Sequence, residues 1–150
     1  MPGTGGTGDV RISGQCMQYH DDVLSVNYAG LPGSPWYELG KKLAPKGTGA
    51  VLAFELAGGV EAGKAFVNAL QLHSHVANIG DVRSLVIHPA STTHAQLSPA
   101  EQLSTGVSPG LVRLAVGIEG IDDILADLEL GFAAARKYAD SSDPHAVAAF

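Results

Sequence analysis

The chain has 150 residues, of which 45% are hydrophobic and 16% charged, and a formal net charge of −6. That is one domain's worth of polypeptide, enough to bury about 70% of the surface exposed by the unfolded chain. The acidic balance gives no electrostatic reason to approach nucleic acid or an anionic membrane, and no apolar run reaches the roughly 18 residues of a membrane span.

Residues 1–20 open with the low-complexity run MPGTGGTG and show no helical or strand period, so they read as a flexible tail. Gly3, Gly5 and Gly8 formally fit G-x-G-x-x-G, but that motif needs a strand before it and a helix after it. From Asp22 the pattern becomes regular. VLSVNY (23–28) predicts a strand, ended by the turn Gly30-Leu-Pro-Gly33. Ser34 as N-cap, Pro35 at the first helical position and Glu38 in the first turn predict a helix that stops near Leu43, before Pro45. GAVLAFEL (49–56) predicts a second strand, and residues 61–70 a helix after the Gly58-Gly59 turn. SLVI (84–87) is strand-like, and Ser98 with Glu101 three residues on marks the start of a short helix. GLVRLAVGIE (110–119) predicts another strand. Ile121, Ile124, Leu125, Leu128, Phe132 and Ala135 then form one apolar helical face, with Asp122 and Asp123 at its start and Arg136 and Lys137 at its end. Residues 140–150 read as a frayed tail. Strands interleaved with helices predict an α/β layered domain whose strand order the connections do not fix.

Within the strand at 110–119, Val112, Leu114, Val116 and Ile118 make an apolar face. The opposite face carries Arg113, with the small residues Ala115 and Gly117 beyond it. Arg113 is therefore a candidate to present its planar fork to a carboxylate, or else neutralises an internal acid or is solvated. Asn78 offers an amide to the same carboxylate, or is the turn former that Asn before Ile79-Gly80 suggests. His73 and His75 share a strand period without a third metal ligand at a recognisable spacing. His88 and His94 bracket a Ser/Thr-rich loop and are suited to tying it down by hydrogen bonds. A single cysteine, Cys16, and the absence of signal-peptide texture make the cytoplasm the expected location.

The segments 78–98 (NIGDVRSLVIHPASTTHAQLS), 106–132 (GVSPGLVRLAVGIEGIDDILADLELGF) and 45–56 (PKGTGAVLAFEL) resemble the C-terminal domain of the Cys/Met-metabolism family of fold-type-I, pyridoxal-phosphate-dependent enzymes. Asn78-Ile-Gly-Asp81 is similar to the O-acetylhomoserine sulfhydrylase branch, where related γ-lyases and γ-synthases usually carry serine first. The resemblance covers about residues 22–132. It implies that residues 21–139 form the family's small domain, a mainly antiparallel sheet of four to five strands with helices packed on one face, docked on a large cofactor domain. It also implies that Arg113 clamps the α-carboxylate of an amino-acid substrate, O-acetylhomoserine in that branch, assisted by Asn78, with Thr93 near and supporting Asn78. Holding the carboxylate would orient the Cα–H bond relative to the cofactor ring. In that branch sulfide replaces acetate and homocysteine results. The family's cofactor lysine, pyridinium-pairing aspartate, phosphate-binding glycine loop and catalytic tyrosine belong to the large domain. Lys41, Lys42, Lys46, Lys64 and Lys137 do not match the cofactor lysine's motif. Pyridoxal phosphate is thus expected in the full-length family but not covalently on this chain, which is expected to be truncated, inactive alone, and either self-associating or associated with a large domain. The alternative is a stand-alone module for small-carboxylate binding or oligomerisation.

Overall fold

The computed structural model describes residues 7–139. In chain order these form α1 (Thr7–Gln18), β1 (Val23–Asn27), α2 (Tyr37–Leu43), β2 (Val51–Leu56), α3 (Gly59–Ala69), β3 (Ser74–His75), β4 (Leu85–Ile87), α4 (Pro99–Ser104), β5 (Leu111–Ala115) and α5 (Ile121–Ala139). A short 3-10 turn, Pro89–Ser91, follows β4. The strands make one five-stranded sheet in the order β1-β2-β5-β4-β3. All pairings are antiparallel except that of β3 with β4, and the register slips between Val23 and Ser25 on the edge strand β1.

Alternation builds the core. Leu52, Phe54 and Leu56 of β2 and Val112 and Leu114 of β5 point to one face, where Ala62 and Phe66 of α3 meet Ile124, Leu128 and Phe132 of α5. The Phe66 ring stands edge-on to Phe54 and Phe132, at centroid distances of 5.3 and 5.1 Å, a favoured aromatic geometry. All these residues belong to one cluster, so α3 and α5 cover one side of the sheet and the α/β layered class stands. No helix among the described residues is long and apolar enough to cross a membrane.

Three elements depart from the sequence reading. Residues 7–18, expected to lie in a flexible tail, form α1, whose Val10, Ser13, Gly14 and Met17 are buried at helical spacing. Two of those four are Ser and Gly, so the stripe carries little apolar signal, although Gly14 packs on Leu31. The remainder of that N-terminal tail, residues 1–6, and the frayed tail of 140–150 lie outside the described residues. The second departure is at α2, which starts after Trp36 rather than at Ser34. The Ser34 hydroxyl accepts from the Trp36 N–H at 3.2 Å, a local turn that delays the helix. Third, β5 ends at Ala115, so Ile118 leaves the apolar face and is 67% exposed.

Candidate functional site

Arg113 sits in the middle of the central strand β5, opposite Ala53 on β2 and Ile87 on β4. Those neighbours are small or apolar and leave the half-buried guanidinium without a charged partner on the sheet. Its Nη2 donates to the Asn78 carbonyl at 3.0 Å, while its Nε is buried without a hydrogen-bond partner. No carboxylate pairs with it among the described residues.

The structure thus brings Arg113 and Asn78 together, but by the asparagine's main chain. The Asn78 side-chain oxygen accepts from the Ile79 N–H at 2.9 Å, the turn-forming role. Thr93 lies on the exposed loop after the 3-10 turn, where its hydroxyl pairs with His94 Nδ1 at 2.8 Å, and no hydrogen bond joins it to Asn78 among the described residues. Although Gly117 is small, it leaves no open space beyond Arg113, since a Cβ there would overlap the Val82 carbonyl, Arg83 and the Glu119 carboxylate. A cleft of about 350 Å³ lined by Arg11, Tyr28, Tyr37, Lys41 and Lys46 lies elsewhere and does not include Arg113.

The loop that carries Asn78 is fixed at its far end. Glu119 accepts from the Ser84 N–H at 2.7 Å and from the Ser84 hydroxyl at 2.8 Å, while Ser84 Oγ accepts from the Gly117 N–H at 2.9 Å. Burial alone would push the Glu119 carboxyl up, but these bonds outweigh it and hold it below the usual range. A second carboxylate, Asp127 on α5, accepts from the N–H groups of Gln71 and His73 and sits 2.7 Å from His73 Nδ1. His73 is thereby committed to Asp127 while His75 is exposed, and no group of three or more His, Cys, Asp or Glu is placed to hold a metal ion among the described residues. His88 bonds Ser91 Oγ through Nδ1 at 2.8 Å and the Pro109 carbonyl through Nε2 at 2.7 Å, which is the loop-tying role expected of it. Neither Glu119 nor Asp127 stood out in the sequence. The signal for Asp127 was an acid between Ile124 and Leu128 on an otherwise apolar helical face.

Fold and site together define a two-layer α/β domain with a cation on its central strand that no carboxylate among the described residues pairs. The chain belongs to the Cys/Met metabolism PLP-dependent enzyme family, whose model matches residues 12–133. That match reaches into α1, within the stretch expected to lie outside the family. The chain is 59% identical over 115 residues to O-acetyl-L-homoserine sulfhydrylase of Corynebacterium glutamicum, covering 77% of this chain and 26% of that protein. It is 46% identical over 115 residues to L-methionine gamma-lyase of Porphyromonas gingivalis, covering 77% and 29%. Among solved structures it superposes on a putative O-acetylhomoserine (thiol)-lyase of Campylobacter jejuni that carries a pyridoxyl-lysine group. The TM-score is 0.77 at 34% identity, over 85% of this chain and 30% of that one. The chain therefore spans between a quarter and a third of the length of these relatives.

The described residues do not by themselves fit pyridoxal phosphate. All five lysines are solvent-exposed, and Lys41 and Lys64 are paired with Glu38 and Glu61 on helix surfaces. None stands in a buried pocket that could enclose the cofactor ring.

Proposed function

We propose that this chain is the part of an O-acetylhomoserine sulfhydrylase that holds the substrate's α-carboxylate, in a reaction that replaces acetate by sulfide and yields homocysteine. The observation that carries this reading is Arg113, half-buried, without an acidic partner among the described residues, and with a buried Nε that has no partner. The buried Nε–H has no acceptor within the described residues, and a carboxylate could supply one while matching the two-pronged geometry of the guanidinium. The relatives named for sulfhydrylase and for methionine γ-lyase activity act on amino acids, so the α-carboxylate is the shared chemistry. The 59% identity to a sulfhydrylase favours that branch. The cofactor seat comes from outside this chain, which is inactive alone, binds no pyridoxal phosphate covalently, and associates with a large domain or with further copies of itself. Asn78 and Thr93 border the ligand as neutral donors, and the cytoplasm is where such an enzyme would work.

The test is an NMR titration of the ¹⁵N-labelled chain with O-acetyl-L-homoserine and with its methyl ester. The acid is expected to shift the Arg113 Nε–Hε signal and the ester to leave it in place. Arg113→Ala removes the binding and Arg113→Lys keeps part of it, since hydrogen bonds to a charged group contribute about 1.5–3 kcal/mol. Equal binding of acid and ester, or affinity unchanged in Arg113→Ala, would overturn the assignment.

A further inference from the structure

Between β3 and β4, residues 76–80 are exposed, and Asp81 is occupied locally by Arg83, whose guanidinium folds onto it at 3.2 Å. The hydrogen bond from Arg113 to the Asn78 carbonyl is the one that joins residues 76–81 to β5 among the described residues. Residues 82–84 are anchored far more tightly. Ile118 N–H donates to the Val82 carbonyl at 2.9 Å, and Ser84, fully buried, gives both its N–H and its hydroxyl proton to Glu119. The same Ser84 oxygen accepts from Gly117 N–H, and Gly117 has no room for a Cβ against Val82 and Arg83. The segment is therefore clamped flat on residues 117–119, four residues past Arg113.

We infer that Glu119 is a positioning residue for the carboxylate site: its side chain fixes where the Asn78 loop leaves the sheet and so, through the Asn78 carbonyl, where the Arg113 guanidinium points. This deepens, and rests on, the carboxylate-holding role of Arg113. The chemistry selects an ionised acid at this place. Ser84 supplies two donors at once, and a carboxylate accepts both with one oxygen each, whereas a carboxamide offers one acceptor and turns a donor toward the second.

The experiment uses the full chain with Glu119→Ala, Glu119→Gln and Ser84→Ala, read by ¹⁵N NMR. Without ligand, Glu119→Ala is expected to speed amide exchange at residues 79–83 by about tenfold and to move the Arg113 Nε–Hε signal, with the α3 and α5 amides unchanged. Glu119→Gln should fall between it and the parent chain, and Ser84→Ala should reproduce the loop effect. With O-acetyl-L-homoserine, Glu119→Ala should weaken binding about tenfold. If the Arg113 signal and the loop amides stay where they were, or if signals change throughout the chain, Glu119 is not a positioning residue. If Glu119→Ala does not fold, Glu119→Gln and Ser84→Ala decide by the same readouts. If the parent chain binds no carboxylate, the ligand-holding reading fails, and the ligand-free signals still decide whether Glu119 sets the guanidinium's place.

Discussion

Two buried side chains, His88 and Asp127, give the same dependence of stability on pH through different causes. His88 is fully buried, and because the Pro109 carbonyl can only accept, Nε2 carries the proton and Nδ1 accepts from Ser91. Burial pushes its pKa below the ordinary 6.5. For Asp127 burial pushes upward, but the His73 side chain and the N–H groups of Gln71, Leu72 and His73 outweigh it, and the carboxyl ends below its ordinary 3.8. In each case the unfolded chain binds more protons than the folded one between the two values. The contribution of these two groups to stability is therefore full above pH 6.5, declines as pH falls through His88's range, and declines again below about pH 4 as Asp127 of the unfolded chain takes up a proton. Denaturant midpoints measured from pH 8 to 3 should show both declines, with Asp127→Asn shrinking the lower one; a rise in stability from pH 7 to 5 would contradict the His88 part. Arg113 was legible from strand alternation and the small residues around it. Its meeting with Asn78 through a backbone carbonyl was not, because the contact spans 35 positions and leaves no local pattern.

Helix α4 shows how far local chemistry determines an element. Ser98 and Glu101 form a reciprocal capping box, and Pro99 occupies the first turn. The helix buries none of its residues, so caps and the Gln102 side chain hold it, the latter donating to the Ala90 and His94 carbonyls at 3.1 and 2.8 Å. Ser98→Ala should cost about 1 kcal/mol. The loss should appear as faster amide exchange within α4 rather than as a matching drop in the global melting temperature, and equal changes in both would show α4 to be part of the cooperative core. This box, the apolar face of α5 and the alternation of β2 were all readable in order. β3 was not, since two residues carry no period, and the sheet order rests on pairings such as Ala53 with Arg113, which no local signal encodes.

At the scale of the whole molecule, the chain exposes apolar side chains that its own core does not use. α2 buries no residue and leaves Trp36, Leu39 and Leu43 at 63%, 47% and 72% exposure. Val82 and Ile118, on segments joined by a backbone hydrogen bond, are exposed as well. The chain spans 26% of a relative's length, and these side chains are free to meet a further domain or a second copy. Sedimentation equilibrium should therefore give a mass that rises with concentration, and Leu39→Glu with Leu43→Glu should reduce it; a constant monomer mass would rule out this form of contact. The two margins of the sheet constrain what such assemblies can be. β1 has an irregular register between Val23 and Ser25, and β3 is only two residues long. Neither margin offers the long flat row of free amide and carbonyl groups on which an incoming strand could template. Any assembly of this chain would therefore form through side-chain contacts rather than strand-by-strand growth.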